Sequence, residues 1–291
     1  MTRPDIDQRY IDLFDEFTHG TMSRRDFMDR LGRLAGGAAA AAALVPVLQN
    51  NYAEAGLVPE GDQRLAIETA TYEVEGTTMS GYLAWLKGNE KRPAVIVIHE
   101  NRGLNPHIKD VARRLALDGF LAFAPDALSP AGGTPADEDR AREMIYELDA
   151  DQTLARFAAA VPFLATHPES TGKVGAVGFC WGGGMANRLA AAGTELAAAV
   201  PYYGRQLPAE EVPKISAPLC LHYAGLDKRI NAAIDDYVAA LATHGKAFEM
   251  FMYEGANHAF NNDTNAARYD EEAAELAWGR TVAFLHRYLA E

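Results

Sequence analysis

From residue 66 onward the chain alternates short, almost wholly apolar runs with segments of helical length, a pattern that few folds can accommodate. Runs at 94–99, 120–124, 174–179, 197–203, 218–224 and 247–253 have strand length and are apolar at successive positions, as parallel strands covered on both faces must be. Between them, 107–118, 135–148, 151–166, 182–192 and 232–244 predict helices, and 269–289 predicts a closing one. Two alternating stretches, 70–75 and 79–87, predict an antiparallel pair ahead of the first parallel strand. The expectation is an α/β fold, a mainly parallel eight-stranded sheet with helices on both faces. With 291 residues, 48% of them hydrophobic, the chain suffices for one such core. Residues 61–291 are assigned to that domain and residues 1–60 to an N-terminal helical extension.

The extension carries Ser23-Arg24-Arg25-Asp26-Phe27-Met28, then an Ala/Gly-rich apolar stretch over 35–48 and Ala53-Glu54-Ala55. Paired arginines, an apolar core and an A-x-A site predict a twin-arginine export signal and a periplasmic protein. The stretch is too short to span a membrane. Asp29, Arg30 and Arg33 interrupt its start, and the preceding 22 residues are rich in acids and aromatics. The alternative is a cytoplasmic chain that retains an amphipathic helix, packing Phe27, Leu31 and Leu34 against the body or offering Phe27 and Leu31 as a homodimer contact.

A formal net charge of −13 and the lack of any basic stripe exclude nucleic acid as a partner, because such binding needs clustered cations on phosphates. The two cysteines, Cys180 and Cys220, are too few for a disulfide framework. Cys220 reads as a buried structural thiol.

Cys180 differs because of its surroundings. Val174 to Phe179 is a strand, Gly182-Gly183-Gly184 opens a helix, and Gly178-x-Cys180-x-Gly182 repeats the G-x-S-x-G nucleophile elbow with sulfur for oxygen. Glycines flank such a turn because it is strained and backbone passes close beside it. A thiol there lies at a helix N-terminus, which favours thiolate, and the Trp181 N–H becomes an oxyanion donor. The competing readings are a plain tight turn or a phosphate loop. The second lacks G-x-x-x-x-G-K-[ST].

Acid and base should follow the nucleophile, each after a later strand. Asp227 follows the 218–224 run and Gly225, and His258 follows the 247–253 run and Gly255. Alone, each would pass for a turn residue or a solvated loop histidine. In this order they form a triad in which His258 takes the thiol proton and Asp227 orients its imidazole. His99, Glu100, His107 and His222 fall near the same strand ends, but no H-x-x-x-H or C-x-x-C pair occurs, so neither a metal nor another cofactor is expected.

These segments, with Ile98-His99-Glu100-Asn101-Arg102-Gly103-Leu104 and Phe123-Ala124-Pro125-Asp126, resemble the dienelactone hydrolase (carboxymethylenebutenolidase) family of the α/β-hydrolase fold over about residues 66–289. The resemblance implies that Glu100 contacts the resting thiol and that the Asn101 N–H is the second oxyanion donor. It also implies two arginines that grip a substrate carboxylate. Here Pro130 and Asn262 stand at those positions, leaving Arg102 and Arg205 as substitutes and dienelactone itself a doubtful substrate. The expected activity is hydrolysis of a small ester or lactone through a thioester acyl-enzyme. An acyltransferase or thioesterase-like enzyme on the same triad is the alternative, and a non-catalytic binding protein is a third reading.

Overall fold

The computed structural model describes residues 6–52 and 56–290. Three helices come first: α1 (Gln8–His19), α2 (Arg24–Ala35) and α3 (Ala38–Leu48). The body then runs β1 (Leu65–Val74), β2 (Thr77–Leu86), β3 (Arg92–Ile98), α4 (Pro106–Leu117), β4 (Leu121–Pro125), α5 (Glu138–Glu147), α6 (Ala150–Ala165) and β5 (Ser170–Phe179). It continues with α7 (Trp181–Ala190), β6 (Ala198–Tyr202), β7 (Leu219–Ala224), α8 (Lys228–Asn231), α9 (Ile234–Thr243), β8 (Phe248–Tyr253) and α10 (Glu271–Leu289).

The eight strands form one sheet in the order β1-β2-β4-β3-β5-β6-β7-β8. β1 pairs antiparallel with β2 and β2 with β4, and every pair from β4 through β8 is parallel. The expected antiparallel opening and parallel body are both present. Alternate side chains of β3 show why its run is apolar throughout. Ala94, Ile96 and Ile98 enter the core on one face, and Val95 and Val97 enter the core on the other. Because the strands from β3 on are parallel, the residues that follow β3, β5, β7 and β8 come out at one edge of the sheet. Those residues include Glu100, Cys180, Asp227 and His258.

The expected helix at 232–244 is α9, and a single turn not expected from the sequence, α8, precedes it, started by the Asp227 carboxylate accepting from the Ile230 N–H at 3.1 Å. A capping role thus fixes the side chain of Asp227 before it meets any partner.

The extension is a three-helix unit rather than one helix. Asp7 caps α1 and Ser23 caps α2, each accepting from a backbone N–H of the first turn. Ile11, Phe14 and Phe17 line one face of α1, and Phe17 stacks on Phe27 of α2 with ring centroids 4.6 Å apart. Arg24 pairs with Asp139 of the body, and Arg142 of α5 donates to the Phe17 carbonyl at 2.9 Å. Phe27 and Leu31 are buried inside the chain, so the dimer contact expected of them is not on its surface. The apolar stretch after them is α3, bent 112° from α2, and no single helix among the described residues is long and apolar enough to cross a membrane. Ala53-Glu54-Ala55 lies outside the described residues.

Leu31 is fully buried in this small cluster. Leu31→Ala should destabilise the three-helix unit by about 3 kcal/mol. Limited proteolysis before the body unfolds checks it, with cleavage expected first between residues 20 and 50.

Candidate active site

Cys180 joins β5 to α7 at φ 57° and ψ −113°, a left-handed backbone that a side chain other than glycine rarely adopts. Neighbouring backbone holds it there: its N–H donates to the Tyr202 carbonyl at 3.0 Å, and its carbonyl accepts from Gly184 at 3.1 Å. The flanking glycines are required by space. A Cβ on Gly178 would lie 2.0 Å from the Gly182 carbonyl oxygen, and one on Gly182 would lie 2.3 Å from that of Ile98. Trp181 is the first residue of α7, whose opening N–H groups have no acceptor within the helix. Its indole stacks on the imidazole of His99, with centroids 5.3 Å apart.

Asp227 and His258 meet as the sequence predicts. The Asp227 Oδ2 lies 2.5 Å from His258 Nδ1, both side chains are buried, and His258 Nε2 has no hydrogen-bond partner. Burial raises the Asp227 carboxyl, but the adjoining imidazole outweighs it and holds the group below its ordinary value. Burial lowers the His258 imidazole, yet the negative charges of Cys180 and Asp227 prevail and raise it to about 9.

The thiol meets a residue that the sequence reading did not single out. His19, the last residue of α1, places Nε2 3.2 Å from the Cys180 Sγ, and its ring lies edge-on to His258 with centroids 4.5 Å apart. Its Nδ1 lies 3.0 Å from both the main-chain oxygen and the Oδ1 of Asp15, one helical turn back. Asp15 in turn faces Arg229 at 3.6 Å. Burial raises the Asp15 carboxyl, but His19, His258 and Arg229 together hold it far below the usual carboxylate range. The one sequence signal for this pair is an Asp and a His four apart on an amphipathic helix.

Glu100 is buried at the same edge, where its Oε2 accepts from the Asn262 amide at 2.8 Å and its Oε1 has no hydrogen-bond partner. Asn262, at a position where the family resemblance implies a carboxylate-gripping arginine, is therefore turned to Glu100. Among the described residues it is His19, not Glu100, that hydrogen-bonds the thiol. The Asn101 amide donates to the Thr18 carbonyl at 3.0 Å, tying the loop after β3 to the end of α1. Pro130 lies in the short helical turn Ser129–Ala131.

A cavity of about 480 Å³ opens from Cys180, His19 and His258 between apolar walls that include Ile145, Met185 and Leu207. Arg205 lines it, together with Arg188 and Arg229. Arg102 does not. It lies beside the thiol in a crevice of about 10 Å³, its guanidinium 3.3 Å from Asp139 and 3.7 Å from Glu138.

The other histidines near the strand ends serve the framework. His99 accepts from the Ala127 N–H at 3.2 Å, and His107 pairs with Asp263 at 3.0 Å. His222 is buried against Tyr253 and Thr281, and burial lowers it to about 3. Cys220 is a free buried thiol that burial raises to about 12, in keeping with a structural role. His19, Cys180 and His258 each offer one metal-ligand atom, all within 4.8 Å of one another. That set, completed by the extension, is one the sequence reading did not anticipate. Its S···N separation of 3.2 Å is a hydrogen-bond distance, and an ion would have to displace that bond.

The strand order and the thiol elbow define an α/β-hydrolase. The profile of the dienelactone hydrolase family matches residues 79–289, and the chain belongs to that family. A second profile, YqhI-like, matches residues 1–36. A Saccharolobus solfataricus protein provisionally named carboxymethylenebutenolidase is 32% identical over 254 residues, covering 74% of this chain and 96% of its own. The crystal structure of a provisionally assigned dienelactone hydrolase from Klebsiella pneumoniae superposes with a TM-score of 0.70 at 28% identity, covering 77% of this chain and 99% of that one. That of the dienelactone hydrolase-like promiscuous phosphotriesterase P91, from metagenomic libraries, gives 0.69 at 26% identity, with 78% and 100% covered. The protein is a dienelactone hydrolase-like enzyme, a hydrolase acting on esters or lactones. About a quarter of this chain finds no counterpart in relatives that are matched almost end to end.

Proposed function

We propose that the enzyme hydrolyses small carboxylic esters or lactones through a thioester on Cys180, with His258 as acid–base and Asp227 as its orienting carboxylate. The observation that carries this reading is the strained thiol elbow within 4.8 Å of a buried Asp227–His258 pair whose outer nitrogen has no hydrogen-bond partner. Cys180 attacks the carbonyl carbon, the oxyanion is stabilised by the N–H groups of Trp181 and Asn101, and His258 protonates the departing alkoxide. Water then cleaves the thioester. The cavity admits a ligand of modest size, and its apolar walls and the cation of Arg205 favour an acyl part that ends in a polar or anionic group.

The raised imidazole gives a pH prediction. Leaving-group protonation needs His258 as imidazolium, so kcat/KM should fall as pH rises through about 9. The same shift stabilises the fold below the ordinary histidine value of 6.5, and that contribution is lost as pH passes about 9. Asp227→Asn removes one source of the upward shift and should move the alkaline limb to lower pH. A limb that stays in place would show that Asp227 does not act on His258.

The reading is tested with p-nitrophenyl acetate, a set of five- and six-membered lactones, and the same substrates in the presence of an added alcohol. Turnover to free acid supports hydrolysis. Transfer to the alcohol as the main product would make the enzyme an acyltransferase, and no turnover of any ester or lactone would contradict the proposal.

A further inference from the structure

We propose that His19, oriented by Asp15, is a second acid–base residue acting on the Cys180 centre, and that its task is to activate the water that hydrolyses the acyl-enzyme. The inference rests on the thioester reading above. It starts from the placement of a partly buried histidine, supplied by a segment outside the dienelactone hydrolase match, at 3.2 Å from the nucleophilic sulfur.

Orientation is the first argument. His19 Nδ1 lies 3.0 Å from the Asp15 main-chain oxygen and from its Oδ1 and 3.1 Å from the Thr18 hydroxyl, which leaves Nε2 to face the sulfur. This repeats the Asp227–His258 arrangement on the other side of the same atom.

Docking is the second argument. A carboxylate and an imidazole carried inward on a terminal helix cost desolvation, which a helix serving only as a cover would avoid with apolar residues. Here Asp15 is half-buried and faces Arg229 at 3.6 Å, and the Thr18 carbonyl next to His19 accepts from both Asn101 and Tyr146. The end of α1 is fixed to the loops that hold the site.

The step balances as follows. His19 Nε2 takes one proton from a water whose oxygen bonds to the acyl carbon. The C–S bond then breaks, its electron pair goes to sulfur, and the His19 imidazolium returns the proton to Sγ. The product leaves as the carboxylic acid.

The test is stopped-flow hydrolysis of p-nitrophenyl acetate by the full-length wild type, His19→Gln, Asp15→Asn and His19→Ala, with intact-mass detection of the acyl adduct. In His19→Gln the first turnover should release one p-nitrophenolate per chain at a rate within about threefold of wild type. The steady state should then be slowed by about 10²–10³-fold, with acetyl-enzyme accumulating. KM should fall with kcat, Asp15→Asn should show a smaller loss of the same kind, and added imidazole should restore turnover to His19→Ala. An unchanged steady state, or a first turnover slowed as much as the steady state, would overturn the proposal and leave α1 a cover. Failure of the underlying reading looks different: wild type would form no adduct and Cys180→Ala would keep its turnover.

Discussion

Cys180→Ala is expected to lower kcat/KM for an ester substrate by about 10⁴-fold or more, and His258→Ala to do nearly the same. The size follows from what each removal leaves behind. Without sulfur there is no thioester, and the site retains only oxyanion donors and a cavity, which accelerate water attack weakly. In the proposed mechanism, removing His258 takes away the buried imidazole, paired with Asp227, that accepts the thiol proton and returns it to the leaving group. Because the two act as one unit, the double variant should be little worse than either single one. Steady-state assays at matched enzyme concentration check this, and additive losses in the double variant would mean that the residues act separately. Cys180→Ala has a second consequence. Of the charges that raise the His258 imidazole, that of Cys180 acts most strongly, so burial gains weight and the group should titrate lower in the variant.

Gly178→Ala should cost about 3–5 kcal/mol of folding stability. A methyl group there would stand 2.0 Å from the Gly182 carbonyl oxygen and 3.0 Å from the Gly183 nitrogen, both of them backbone atoms at the start of α7. The clash cannot be relieved by rotating a side chain. The strand and helix must separate, which disturbs Cys180 and the neighbouring sheet together. Gly279→Ala in α10 is the contrasting case: nothing lies within 4 Å of the added carbon, and the residue is exposed in mid-helix. That change should stabilise by about 0.5–1 kcal/mol. Urea denaturation of both variants checks the pair, and similar midpoints would show that the elbow tolerates a side chain.

The body of the fold was legible because parallel strands buried on both faces leave an uninterrupted apolar signature, as in Val95-Ile96-Val97-Ile98. The elbow was legible because two steric requirements, at Gly178 and Gly182, leave glycine as the residue that fits. Asp227 and His258 followed from chain order, and their hydrogen bond comes with it. What stayed hidden depends on contacts between distant segments. His19 approaches Cys180 across 161 residues of sequence, and no local periodicity encodes that distance. The same holds for Asn262 turning to Glu100, where an amide of ordinary appearance fixes an acid 162 positions away. The pattern around Arg24-Arg25 shows the converse. A basic pair ahead of an apolar run suits an export signal by composition, and it also suits an α2 whose first turn pairs with Asp139 and whose Phe27 stacks on Phe17. Phe27 and Leu31 both contribute to a core shared with α1 and Ala267 of the body.

The most direct measurement of the central claim is intact-protein mass spectrometry after rapid acid quench of the enzyme mixed with p-nitrophenyl acetate, followed by peptide mapping. The account predicts one acetyl group per chain, carried by the peptide that contains Cys180, labile to hydroxylamine and absent from Cys180→Ala. Turnover without any adduct on Cys180, or an adduct that persists in Cys180→Ala, would contradict it.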